Sequence, residues 1–193
     1  MDRRLQQLVA GIEVTEQPQH GCQPPRCQPR SCQPCTACCD GWLRINVFDQ
    51  PVLPGKPCPH SAGPVGKQSG GGCKIYATRP VDPCVNFSCG WVGDASHLPD
   101  WMKPNEAKVI VLPAWTNWRT FPVDLALPVG ARIPHKSLRW LQDYSKTSFR
   151  PLIYAEQEID HNGHFTGTQK VHGYGPPTFQ QEMTQLIAGR RLS

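Results

Sequence analysis

The sequence predicts an α+β protein in which an irregular, cysteine-rich half packs against a small sheet with two or three helices. Three observations carry this expectation. The chain has 193 residues, room for one ordinary domain and too little for several independent cores. Its ten cysteines all fall between positions 22 and 89. Periodic apolar segments, in contrast, are concentrated from residue 107 onward. With 21 Pro and 17 Gly the chain stays below the range of roughly 25–30% that marks low complexity, so it should fold with abundant loops.

The elements follow in order. Leu5, Leu8, Val9 and Ile12 recur at helical spacing, so residues 1–13 read as a short amphipathic N-terminal helix. Residues 14–31 are polar and Pro-rich, with Cys22-Gln-Pro, Cys27-Gln-Pro and Cys32-Gln-Pro recurring every five residues. Proline at this density blocks helix and ladder alike, which predicts an extended linker. Residues 32–193 then form a single domain, with 32–91 as its cysteine-rich half and 92–193 as its α/β half. In the second half, 107–113 and 120–127 read as strands, 134–144 as a helix with Leu138, Leu141 and Tyr144 on one side, and 151–158 as another strand. The dipeptide Asn162-Gly163 signals a two-residue hairpin that returns residues 165–174 antiparallel. Phe179, Met183, Leu186 and Ile187 mark a closing helix over 178–188.

The cysteine half buries too little apolar surface to hold itself together and needs a staple. The apolar run Leu8–Ile12 is shorter than a signal-peptide core and no run approaches the ~20 residues of a membrane span, so the expected compartment is the cytoplasm, with no membrane partner. Thiols stay reduced there, and clustered cysteines point to metal. Cys32, Cys35, Cys38 and Cys39 spell CxxCxxCC, followed by Cys58, Cys73, Cys84 and Cys89. A CxxC step lets two thiolates converge on one ion while the intervening amides face the sulfurs. Soft thiolates suit zinc, iron or an iron–sulfur centre. Eight thiolates match two four-ligand sites, and adjacent side chains diverge, so the spacing predicts two ions or a polynuclear centre, with Cys38 and Cys39 serving different ions. His60, two residues after Cys58, is a further candidate ligand. Cys22 and Cys27, in the Pro-rich segment, read as spare thiols.

At these residues the chain resembles a known family. CxxCxxCC, Cys58-Pro59-His60, Gly70-Gly71-Gly72-Cys73-Lys74-Ile75-Tyr76 with Arg79-Pro80, Cys84, and Phe87-Ser88-Cys89 are similar to the YkgJ-like cysteine-cluster family, a zinc- or iron-chelating domain. The resemblance covers residues 32–91 closely and the α/β half loosely. It gives all eight cysteines a counterpart and implies that they act as metal ligands. Cys22 and Cys27 are additions, and Val85 stands where a basic residue is expected. Some relatives are described as flagellin lysine N-methylase-like, which implies a metal-dependent enzyme, redox or group-transferring, as the alternative to a non-catalytic metal-binding protein.

Other motifs carry less. Gly70–Gly72 lacks the Lys-Ser/Thr of a phosphate loop and reads as a turn delivering Cys73. His161 and His164 flank the Asn-Gly turn, where their Cβ atoms would stand about 5 Å apart across a ladder. Asp160, His172 and a serine form a hydrolase triad only on paper, without the required strand–turn–helix context. The net charge is +5, and the excess lies between 101 and 150, with eight Lys/Arg against three Asp/Glu in no dense run. Trp91, Trp101, Trp115, Trp118 and Trp140 read as core packing in preference to base stacking. A nucleic-acid-binding module is therefore the third-ranked reading, behind metal binding and metal-dependent catalysis, and a protein partner stays open.

Overall fold

The computed structural model describes residues 30–62, 72–93, 98–162 and 164–190. Strands β1 (Ile45–Val47) and β2 (Gln50–Val52) form a small antiparallel pair in the cysteine half. Strands β3 (Val109–Trp118), β4 (Phe121–Pro128), β5 (Leu152–Ile159) and β6 (Phe165–Tyr174) form a second sheet in the order β3-β4-β5-β6. Helix α1 (His135–Ser148) joins β4 to β5, and α2 (Pro177–Arg190) follows β6. The fold is α+β.

Each connection has a local cause. β3 pairs antiparallel with β4, through Trp118 opposite Phe121. β4 and β5 run parallel, with Leu125 beside Ile153, which requires a crossover, and α1 supplies it. The sequence pattern ends the first strand at Pro113, yet β3 continues to Trp118. Pro113 cannot donate to a ladder, and the register shifts between Leu112 and Thr116 to accommodate it. Ala114 takes a positive φ of 48° in that bulge, and its freed N–H donates to Asp124 Oδ1 at 2.8 Å. Asp124 is buried and paired with Arg150 at 2.5 Å.

Helix α1 buries Ser137, Leu141 and Ser145, one face at i, i+4 and i+8, with Leu138 and Tyr144 partly covered beside them. Ser137 anchors it by donating from Oγ to the Ala107 carbonyl at 2.6 Å. Helix α2 packs through Phe179 and Met183 onto β6, where Gly173 makes room: a Cβ there would stand 2.8 Å from Met183 Cγ. Leu186, expected on the packed side, is exposed.

One hydrophobic cluster joins the two halves. Ala37, Leu43, Cys89, Trp91, Leu98 and Met102 belong to the same buried cluster as Val109, Leu125, Ile153 and Phe179. The Trp residues serve this packing: Trp91 is in the core, while Trp101, Trp115, Trp118 and Trp140 lie against it. A second, much smaller cluster of Val47, Val52 and Cys58 sits in the cysteine half, with Cys39, Ile45 and Cys84 against it.

Several expectations are corrected or lie outside the described residues. The N-terminal helix, most of the linker, and Cys22 and Cys27 fall among residues 1–29 and lie outside them. Arg30, assigned to the linker, is instead an anchor: its guanidinium donates to the carbonyls of Trp91 at 3.1 Å and Leu98 at 2.9 Å and pairs with Asp100 at 2.7 Å. Gly163 is outside the described residues, but the β5–β6 hairpin is present and its loop is longer than two residues. Asp160 N donates to His164 O, and Asp160 Oδ1 accepts from the N–H groups of Asn162 and His164. His164 therefore pairs with Asp160, His161 lies inside the loop, and the two histidines are not cross-strand neighbours. His172 stacks on Tyr154 at a centroid distance of 4.8 Å, away from Asp160 in the ladder register, so the paper triad is not assembled. Among the described residues, no helix is long and apolar enough to cross a membrane.

Candidate metal centre

The CxxCxxCC segment is a chain of tight turns. Cys35 N donates to Cys32 O at 2.6 Å, closing the first step. A short helical segment, Cys38–Trp42, follows and breaks at Gly41, whose φ is 91°. A Cβ at Gly41 would lie 1.9 Å from the Leu53 carbonyl oxygen, so only glycine lets the β2 exit loop approach. Asp40 pins the same turn, accepting from Thr36 Oγ1 at 2.7 Å and Ser61 Oγ at 2.9 Å.

Backbone contacts then bring distant cysteines to this segment. Cys58 N donates to Cys39 O at 2.7 Å, and Ser61 bridges antiparallel to Cys73. Gly72, the described end of the glycine run, leads into that bridge as its O accepts from Ala62 N at 2.8 Å. Arg79 secures the next loop by donating to Tyr76 O at 2.7 Å and Cys84 O at 3.3 Å, with its guanidinium 3.8 Å from the Tyr76 ring centroid. Cys89 opens the helical turn Gly90–Gly93, and its carbonyl accepts from the Val92 and Gly93 amides.

The eight described thiols are all free of disulfides, and six of them divide by packing on either side of the Cys38–Cys39 peptide. Cys35, Cys38 and Cys89 lie in or against the main core, whereas Cys39, Cys58 and Cys84 lie in or against the small cluster. Electrostatic neighbours add Cys32 to the first set and Cys73 to the second, although Cys39 also acts on Cys38 across the division. Burial pushes the Cys38 thiol well above the ordinary value, and the nearby Cys89, Cys35, Cys39 and Cys32 sulfurs push it further. Burial also raises Cys39, to about 12, reinforced by Cys73, Cys58 and Cys84. Cys89 is raised to about 11, again by burial, with Cys35 and Cys32 adding to the shift. Cys84 is raised by burial and by Cys58 and Cys73. Candidate site I is therefore taken as Cys32, Cys35, Cys38 and Cys89, and candidate site II as Cys39, Cys58, Cys73 and Cys84.

Each site also carries groups that favour thiolate. At site I, the backbone N–H groups of Ala37 and Asn105 and the charge of Lys103 oppose the burial-driven rise at Cys35, and the Val92 and Trp91 amides oppose it at Cys89. Lys103 is held by its bond to Gln33 O at 3.1 Å and lies 5.0 Å from the Trp91 ring centroid. At site II, Arg79 opposes the rise at Cys84. As placed, the sulfurs neighbour one another without closing on a point, and among the described residues no group of three or more His, Cys, Asp or Glu side chains is formed for an ion. His60 stands with its ring edge-on to Phe48 at 5.7 Å, while its carbonyl accepts from Lys74 N.

The sequence pattern did not single out Asp40, Lys103 or Asn105; Tyr76, part of the cysteine motif, has a hydroxyl that accepts from the Cys32 thiol at 3.4 Å. The Thr36–Asp40 spacing of four was a usable signal for the first; the others act across long loops and leave none. A surface cleft of about 370 Å³ lies elsewhere, lined by Phe121, Lys146, Phe149 and Tyr174 and by none of the eight cysteines. No family model, curated protein or solved structure matches the chain.

Proposed function

We propose that this is a metal-binding protein that holds zinc or iron in two four-cysteine sites, Cys32, Cys35, Cys38 and Cys89 in one and Cys39, Cys58, Cys73 and Cys84 in the other. The observation that carries the reading is the packing of six free thiols, Cys35, Cys38 and Cys89 with the main core and Cys39, Cys58 and Cys84 with the small cluster, with Cys32 and Cys73 as electrostatic neighbours of the two groups. The donor chemistry fits: soft sulfurs suit zinc, iron and iron–sulfur centres, and four per site is the number a closed structural site uses. Buried thiols raised above their ordinary value are costly to ionise without a cation, so binding couples metal uptake to proton release. The bound metal supplies folding energy to a lobe with few buried side chains. Lys103 at site I and Arg79 at site II offset part of the thiolate charge. The family resemblance at CxxCxxCC points the same way, and His60 is left out of the ligand set because its ring packs on Phe48.

This arrangement favours a non-catalytic role over the enzymatic alternative, since two quartets use all eight sulfurs and leave none for turnover. It also favours metal over nucleic acid. Of the eight basic residues between 101 and 150, six are engaged: Lys103 with Gln33, Arg119 with Glu182, Arg132 with Glu156, Lys136 with Trp101, Lys146 with Asp143 and Arg150 with Asp124. Binding to nucleic acid at physiological salt is expected to be weak and insensitive to sequence, because scattered charges release few counterions together; a tight, sequence-selective complex would reverse that ranking. The metal reading is tested by anaerobic purification followed by elemental analysis and a visible spectrum. Stoichiometric zinc without a visible band, or iron with sulfur-to-iron charge transfer, is expected. A folded protein without stoichiometric metal would overturn it.

A further inference from the structure

We infer that Cys32 and Cys35 form a thiol-oxidation site, which a low-molecular-weight disulfide such as oxidised glutathione closes into an intramolecular disulfide. The site needs no ion and goes beyond the metal reading. Cys32, Gln33, Pro34 and Cys35 make one tight turn, closed by the bond from Cys35 N to Cys32 O at 2.6 Å. A turn of this kind keeps its end Cα atoms within roughly 7 Å, and a disulfide spans about 4.4–6.8 Å between Cα atoms. The pair therefore closes with little movement of the backbone. Contacts outside the cysteines hold the turn to the body of the protein. Arg30 donates to the carbonyls of Trp91 and Leu98, Lys103 Nζ donates to Gln33 O, and Ala37 is buried in the main cluster.

The two sulfurs differ in access. Cys32 is exposed, and Cys35 is half-buried against the main core. An incoming disulfide thus meets Cys32 first, since reactive cysteines are those that solvent reaches. Tyr76 accepts from the Cys32 thiol at 3.4 Å; after proton loss its hydroxyl turns to donate to the sulfur left behind. The backbone N–H groups of Ala37 and Asn105 donate to Cys35, one turn away. Cys39 and Cys58 are also joined by a backbone bond, but neither is exposed. The exchange runs in two steps. In the first, the Cys32 thiolate attacks one glutathione sulfur: a Cys32–glutathione bond forms, the S–S bond of the oxidant breaks, and one glutathione leaves with the proton that Cys32 gave up. In the second, Cys35 attacks the Cys32 sulfur, and the other glutathione leaves with the Cys35 proton. Two protein thiols are oxidised as one disulfide is reduced to two thiols. The closed pair leaves neither sulfur free for an ion.

The test incubates the full chain with oxidised glutathione and a chelator, blocks the remaining thiols with iodoacetamide, and locates each disulfide by fragment-resolved mass spectrometry. Cys32–Cys35 should form first, about tenfold or more faster than any other pair. In urea the turn and its supports are lost, so Cys35–Cys38, with the same spacing, should form about as fast. Over the same period Cys35→Ser should retain glutathione on Cys32, and Cys32→Ser should leave Cys35 unmodified. A first disulfide elsewhere in the folded chain, the same ratio of pairs in buffer as in urea, or a Cys35→Ser chain that keeps no glutathione on Cys32 overturns this inference. The metal reading is judged separately, by metal content before the chelator is added, so either one can fail alone.

Discussion

Cys38 and Cys39 are adjacent, yet they belong to different surroundings. Consecutive side chains diverge, and here one faces the main core and the other the small cluster. That division could be read from CxxCxxCC alone, as could the eight thiols themselves. The assignment of the remaining six could not, because Cys58, Cys73 and Cys84 are brought toward Cys39 by contacts distant in sequence, among them the Cys39–Cys58 backbone bond, the Ser61–Cys73 bridge and the shared small cluster. Two expectations belong at this scale. Cys35→Ser and Cys73→Ser should each lower bound metal, measured by elemental analysis, while Cys22→Ser leaves it unchanged; equal loss in all three would contradict the division between ligands and spare thiols. Gly41→Ala should destabilise the protein by at least about 1–3 kcal/mol in urea unfolding, since alanine meets both the left-handed φ and the Leu53 carbonyl. An unchanged midpoint would show that this approach is not needed.

At the scale of elements, the α/β half was legible because its strands and helices are long and periodic. Its exceptions were set by single residues. Pro113 looked like a strand end and is a bulge, because Asp124 satisfies the amide that the bulge frees. Asn162-Gly163 looked like a two-residue turn, but Asp160 captures two loop amides and makes a wider one. The β1–β2 pair, only three residues a strand, was too short for any pattern to register. Asp124 holds β4 to the start of β5 through Arg150, with side-chain exposures of 7% and 19%. Asp124→Asn should therefore cost about 3 kcal/mol, the lower part of the range for breaking a buried pair, as Arg150 keeps some access to water. Urea titration of the variant would measure it, and a loss below the error of the method would contradict the role given to the pair. On β6, burial lowers His172 below its ordinary 6.5 despite the opposing charge of Glu156. The unfolded chain then takes up this proton first as the pH falls, so stability is full above 6.5 and declines below it. Replacing His172 with Gln should flatten the profile between pH 7 and pH 5; an unaltered slope would assign it to other groups.

For the whole molecule, the cysteine half was expected to be held by metal and the α/β half by burial. The shared cluster refines that expectation, because Ala37, Leu43, Trp91, Leu98 and Met102 are packed with the sheet. Residues 45–62 and 72–85 contribute few buried side chains, and ordering each costs roughly 1–2 kcal/mol of backbone entropy that burial there does not offset. On the proposed reading, metal at the two quartets makes up the difference. Its removal should produce a partial transition instead of a single two-state melt. Peptide-resolved hydrogen exchange, on the full chain with metal and after chelation under reducing conditions, tests this most directly. Protection should be lost across 45–62 and 72–85 and kept in β3, β4, β5 and β6; if the cysteine segments remain as protected without metal as with it, the two quartets are not metal sites that hold this half together.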